Sequence, residues 1–392
     1  MLLVCLASLT AKAQTASSTA PAVLPTPTLD YATVDRATVR VFAVEGVDAV
    51  PLPTSRGGTR LLAQPRSGHG SGVIVSRDGL VVTARHVVQD AAVLAVWVPG
   101  HPRPFEARLV WEDTAWDLAV LAIDGTFQEF VPIGPIGRTL RIREPVSAIG
   151  YPLDVTRIDP QSAQGIVAGV LPDGHLQLDI GVNPGNSGGP LVDRDEHVVG
   201  IVVARGRIER GVQSIGVAVP ADPIAALLAT LTTDSPYVVA ARSLLASSSH
   251  GQEIAELVQI LVGVSGVELY RDVRLALRDG NPSEVIERLR AFADVVASPE
   301  SMALLAAYFW DAGGLVLERN DGALRPEQLP SGPERALATD LLRRAVALCH
   351  EAQRRDPSLS ARSPFVAWVV RHVREPAPAS PTRQAADPER PR

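Results

Sequence analysis

The chain has 392 residues, 46% apolar and 20% charged, with a net charge of −6. That is the composition of a folded protein of two or three domains, and an acidic balance without a basic block argues against nucleic-acid binding. Lys12 is the one lysine, so the basic residues are otherwise arginine, which reads as coding bias.

The start, MLLVCLASLTAKAQ, has a short apolar run followed by Ala11-Lys12-Ala13, the small-x-small pattern of a signal-peptidase site. The reading is a signal peptide over residues 1–13 and a linker over 14–30, hence an exported protein, whether periplasmic, cell-envelope or secreted. Loss of Cys5 with that peptide leaves Cys349 alone, so no intramolecular disulfide is expected. No later stretch is long and charge-free enough to span a bilayer.

From about Tyr31 to Pro220, within a first domain read as residues 31–232, the chain is written in short β-type runs: ATVRVFAV, GVIVS, GLVVTA, AVLAVWV, EARLVWE, LAVLAI, PVSAIG, GIVAGVL, HLQLDI, HVVGIVVA and SIGVAV. Turns such as Arg77-Asp78-Gly79 and Pro172-Asp173-Gly174 join them. So many short strands without intervening helices predict an all-β fold of two barrels. After Pro220 the period changes: ADPIAALLATL, SEVIERLRAFADVV, SMALLAAYFW and RALATDLLRRAVALCHEAQRR carry apolar residues at helical spacing. Residues 233–375 therefore read as a separate α-helical domain, and 376–392 as a tail disordered by composition. Within the last long helix Cys349 reads as a core residue, and Arg343, Arg344, Arg354 and Arg355 as a solvated face.

Three stretches carry candidate chemistry: GLVVTARHVV with His86, TAWDLAVL with Asp117, and NPGNSGGP with Ser187. Acyl transfer by a serine needs a hydroxyl, a base to take its proton and a carboxylate to hold the base's tautomer. It also needs backbone N–H groups aimed at the developing oxyanion. Glycines on both sides of Ser187 allow the sharp, close-lying backbone such a donor concavity requires. Each residue has a plainer reading: His86 as an ordinary histidine, Asp117 as a strand-start cap with Asp113 and Asp124 as rivals, and Ser187 as a turn residue. Asp179 ends a strand and needs no catalytic role. The pattern Gly185-Asn186-Ser187-Gly188-Gly189 also satisfies the G-x-S-x-G elbow of α/β-hydrolases. That elbow runs into a helix, whereas PLVDRDEHVVGIVV reads as strand, turn, strand, so the esterase reading falls. His69, His101, His175 and His197 lie in turns without ligand spacing; no metal site and no cofactor is expected.

GSGVIVSRDGLVVTARHVV, DLAVLAI, AIGYP and LQLDIGVNPGNSGGPLV resemble the trypsin-fold serine proteases of the HtrA/Deg group, in the order His86, Asp117, Ser187. The resemblance spans about residues 35–220 and implies a trypsin-like double six-stranded barrel. By position it implies that His86 is the general base, that Asp117 orients it and that Ser187 is the nucleophile. It implies an oxyanion hole from the N–H groups of Gly185 and Ser187. A primary specificity pocket would be lined by Val182 and by the strand Ile201, Val202, Val203, Ala204. Trypsin's acidic pocket residue, six before the serine, is here Gly181, so cleavage after small or aliphatic residues is expected. Residues 235–392 do not resemble the PDZ domains usual in that group. Protein or peptide substrates follow, with a protein partner for the helical domain and a homo-oligomer left open. The alternative is a catalytically latent or silent protease fold that binds or senses through its helices.

Overall fold

A computed structural model describes residues 32–53, 57–134, 140–153, 159–203, 215–248, 298–320 and 323–375, together with parts of 251–258. The leader and linker, the tail after 375, the helix expected at SEVIERLRAFADVV and Ala204 lie outside the described residues.

A short helix α1 (Thr33–Ala37) leads into β1 (Thr38–Pro53), which pairs with β2 (Thr59–Ile74) over almost their whole length. With β3 (Leu80–Ala84), β4 (Val93–Trp97), β5 (Phe105–Asp113) and β6 (Leu118–Ile123), they close an antiparallel barrel in the order β1-β2-β3-β6-β5-β4. A second closed barrel, β10-β11-β12-β9-β8-β7, is built from β7 (Pro145–Gly150), β8 (Gln161–Val170), β9 (Leu176–Asp179), β10 (Pro190–Val192), β11 (Val198–Val202) and β12 (Ile215–Pro220). This is the double barrel that the short strand runs predicted.

Strand alternation sorts the apolar residues between cores. On β3, Val81 faces the interior of the first barrel while its neighbour Val82 joins the layer between the barrels. On β11, Val202 points into the second barrel and Ile201 into the same middle layer. That layer, where Val73, Val82 and Val120 meet Ile201, Val203 and Val219, fixes one barrel against the other.

The strands β1 and β2 are longer than the runs ATVRVFAV and GSGVIVS suggest. Gly46 sits at a register shift in β1, and Pro51 and Pro53 lie beyond the stretch paired with β4. Proline is tolerated there because its missing N–H is asked for by one neighbour only. The protruding hairpin is covered by helices. After α3 (Ala221–Leu228) and α4 (Pro236–Ser247) come α5 (Pro299–Arg319), α6 (Pro333–Arg355), the single turn α7 (Leu359–Arg362) and α8 (Pro364–His372). Ser298 caps α5 by accepting the Ser301 N–H at 3.1 Å, with Pro299 at the first helical position.

The apolar faces of these helices share a core with the outside of the first barrel. Phe42, Val44, Val47, Ala63, Val93 and Ala95 pack with Leu305, Phe309 and Val316 of α5, with Leu341 and Cys349 of α6, and with Phe365 and Val369 of α8. A fully buried phenylalanine is worth about 1.5–3 kcal/mol, so Phe42, Phe309 and Phe365 tie the two parts strongly. The described residues from Ala32 to Glu375 accordingly form one compact unit. Among the described residues no helix is long and apolar enough to cross a membrane.

Candidate active site

His86 lies on the single turn α2 (Arg85–Val88), which starts directly where β3 ends. Asp117 precedes β6, the strand paired with β3, so the ladder that aligns Ala84 with Leu118 also brings these two side chains together. Asp117 Oδ2 lies 2.7 Å from His86 Nδ1, and Oδ1 accepts the His86 backbone N–H at 3.0 Å. The Asp117 carbonyl accepts the Arg85 N–H at 2.8 Å, closing the clasp from the backbone side. Asp117 holds this position at φ 55°, a left-handed conformation that costs a non-glycine residue free energy and is tolerated best by Asp and Asn. Of its rivals, Asp113 accepts the N–H groups of Ala115 and Trp116 in the preceding turn, and Asp124 is exposed beyond the far end of β6.

Ser187 is 5% exposed, in the loop between β9 and β10. Its carbonyl accepts the Ser71 N–H at 2.7 Å, which fastens the loop to β2. Gly188 has φ 89° and lies so close to the Ser71 carbonyl and the Ala84 backbone nitrogen that a side chain there would collide with both. The serine loop is thereby pressed against the strand end that leads into His86. Among the described residues no hydrogen bond joins Ser187 Oγ to the His86 ring. In a substrate-free site that contact is often long and tightens only when substrate binds.

The loop's backbone donors divide cleanly. Asn186, Gly188 and Gly189 give their N–H groups to Asn183 O at 3.0 Å, Val202 O at 2.7 Å and Asn186 O at 3.0 Å. The N–H groups of Gly185 and Ser187 have no acceptor among the described residues. Gly185 has φ 101°, and a side chain there would meet the Tyr151 carbonyl and His69 Nε2.

Ser71 was quoted within GSGVIVS without a role, and here it organises this loop. Its buried hydroxyl donates to the Gly185 carbonyl at 2.6 Å and accepts the Tyr151 N–H at 2.9 Å. Its sequence signal was the pair of flanking glycines, Gly70 and Gly72. Behind it, burial and then the Arg40 guanidinium hold the His69 imidazole below its ordinary pKa. The same guanidinium lies 4.5 Å from the centroid of the Tyr151 ring.

The expected pocket residues differ in exposure. Val182 is half-buried and its Cγ2 approaches Gly216 on β12. Ile201, Val202 and Val203 are fully buried. Of the other histidines, His175 pairs with Asp173 at 3.0 Å and lies by Trp116, while His101 packs on Phe105 and Phe127. Asp193, Asp195 and His197 bring potential ligand atoms within 4.8 Å of one another in the β10–β11 turn. Asp193 Oδ1 there accepts the N–H groups of Asp195 and His197.

Two closed six-stranded barrels, with a histidine–aspartate pair and a glycine-flanked serine loop between them, form a double barrel of the trypsin-like type. Residues 70–201 match the model of the trypsin-like peptidase domain. Curated relatives described as probable periplasmic serine endoproteases, DegP-like, are similar to part of the chain. The protein of Halomonas elongata is 33% identical over 182 residues, 45% of this chain and 37% of the relative. That of Pseudomonas putida W619 is 36% identical over 160 residues, 39% and 32% of the two chains. A solved structure of a serine endoprotease from Yersinia pestis aligns at 29% identity and a TM-score of 0.40, covering 53% of this chain and 69% of that one. The chain thus spans about a third of the length of these curated relatives.

Proposed function

We propose that the protein is a serine endopeptidase that cuts polypeptides through an acyl-enzyme. Ser187 Oγ attacks the scissile carbonyl, and His86 Nε2 takes the proton and later gives it to the leaving amine. Asp117 fixes the tautomer by accepting Nδ1–H and stabilises the imidazolium as it forms. The oxyanion is received by the N–H groups of Gly185 and Ser187, two donors without another acceptor among the described residues. The observation that carries the reading is the two-point clasp of His86 by Asp117 beside the pinned serine loop. Water then attacks the acyl carbonyl by the same proton route, leaving Ser187 as it began.

With Gly181 in place of an acid and an apolar Val182 nearby, the preference proposed is for small or aliphatic residues before the scissile bond. A peptide library cut mainly after arginine would overturn it. Export to the periplasm is proposed from the Ala11-Lys12-Ala13 pattern together with the relatives' description as periplasmic.

The first test is labelling of the purified protein with a fluorophosphonate, followed by mass mapping. An adduct on Ser187 that is lost in Ser187→Ala supports an assembled, activated site. A well-folded protein that takes no label, with no turnover of an unstructured protein substrate, would show a latent or silent fold and end the proposal.

A further inference from the structure

An apolar-floored cavity opens far along the chain from Ser187, between the outer end of β2 and helices α5, α6 and α8. It holds about 750 Å³, within the usual range for a bound organic ligand or short peptide. Its floor includes Leu317, Val346 and the rings of Trp310 and Trp368. Trp310 is set by its indole N–H, which donates to the Leu61 carbonyl at 2.9 Å, and Trp368 stands edge-on to it at 5.9 Å.

Charge at the walls runs against the chain's overall sign. Arg60 from β2, Arg325 from the α5–α6 connection, Arg343 from α6 and Arg374 after α8 all line the cavity, with Glu327 as the carboxylate beside them. Of the other arginines on these helices, Arg344 is matched with Asp340, Arg355 with Glu351, Arg354 with Glu351 and Glu375, and Arg362 with Glu300 and Asp356, while Arg335 and Arg371 stand singly without an ion pair among the described residues. Arg325, Arg343 and Arg374 have no ion pair among the described residues. Arg60 reaches Glu318 at 3.5 Å through one nitrogen, while Nη1, buried against Gly314, has no hydrogen-bond acceptor.

From this juxtaposition of four guanidiniums, three of them without an ion pair among the described residues, with an aromatic, apolar floor, we infer that the cavity binds an acidic peptide segment, with carboxylates on either side of an aromatic or aliphatic side chain. Guanidinium forks suit carboxylates. Set on four separate elements, they match acids distributed along a chain better than one compact phosphate. The floor supplies the burial that orients the central side chain.

The test uses the full chain carrying Ser187→Ala, so that no probe can be cut. Fluorescein-labelled Glu-Asp-Xaa-Asp-Glu amides, with Xaa as Phe, Trp, Leu or Val, are titrated by anisotropy. Expected is saturable binding by at least one of them that weakens about tenfold in the exposed double variant Arg325→Glu/Arg343→Glu, and weakens again on raising salt. Circular dichroism checks that the variant is folded. The proposal is overturned if none of the four binds below ~1 mM, an affinity worth only about 4 kcal/mol. It is equally overturned if the Lys-Arg-Xaa-Arg-Lys counterparts bind as well, or if inorganic pyrophosphate binds more tightly than every peptide and is lost in the same variant. The readout is binding alone, so the result stands apart from whether Ser187 is catalytic.

Discussion

His86 and Asp117 touch at two points, so one carboxylate both orients the ring and anchors its backbone. Asp117→Asn keeps the shape but presents an amide where an acceptor is needed, and turnover should fall by about 10⁴-fold with substrate binding little changed. If Asp113→Ala abolished activity while Asp117→Ala left it intact, the carboxylate assignment would be wrong. Ser71 makes a sharper prediction, because it is fully buried and its hydroxyl is spent on the serine loop and Tyr151. Ser71→Ala leaves the Gly185 carbonyl and the Tyr151 N–H buried without their shared partner, at a cost of about 1–3 kcal/mol. Since Gly185 then loses its tether, kcat should drop more than urea stability alone accounts for, and labelling of Ser187 should slow. A variant that is destabilised yet fully active per folded molecule would confine Ser71 to the fold. Gly188→Ala places a methyl group against the Ser71 carbonyl at a left-handed backbone angle, so it should both destabilise and silence the site.

At the level of elements, the outer half of β2 exposes an edge that would otherwise be free to pair with another chain. Helix α5 occupies it with side chains: Asp311 Oδ1 accepts the Ala63 N–H at 2.9 Å, and Trp310 donates to Leu61 O. Burial raises the Asp311 pKa to about 7, against the opposing pull of the Ala63 N–H and of Arg60. In the unfolded chain it returns to about 4. Between those values the folded state holds a proton the unfolded state has released, so this contribution favours the fold below pH ~4 and is lost as pH rises through ~7. Asp311→Asn keeps an acceptor for Ala63 and cannot titrate. Urea midpoints should therefore fall less between pH 5 and pH 8 in the variant than in the parent, and parallel profiles would dismiss Asp311 as the cause. Neither the clamp nor the long hairpin was legible in the sequence. Gly46, Pro51, Pro53 and Pro65 disguise the strands as turns, and a helix's period reports that it has an apolar face without saying what covers it. His86 and Asp117 were legible because short motifs at strand ends carry them. Ser71 was not, because its partner Gly185 lies 114 residues away.

For the molecule as a whole, the helices finish the first barrel. A chain ending at Ser248 would leave Phe42, Val44, Val47, Ala63, Val93 and Ala95 without their cover, an exposed apolar patch of the kind that drives aggregation. It should express as insoluble protein or bind ANS strongly, and a soluble, monomeric fragment with full activity would show that the shared core is dispensable. Cys349 gives an independent gauge of that core, since burial pushes its thiol far up and out of reach of reagents. Iodoacetamide should modify it only as fast as the α5–α6 layer opens. The bonds that close the core join residues 248, 249 and 316 positions apart. At a synthesis rate of about 5–20 residues per second, the strands of the first barrel wait tens of seconds for the helices that seal them. Through that interval their outer face lacks the helices that cover it in the folded chain. The barrel made first is therefore the one completed last.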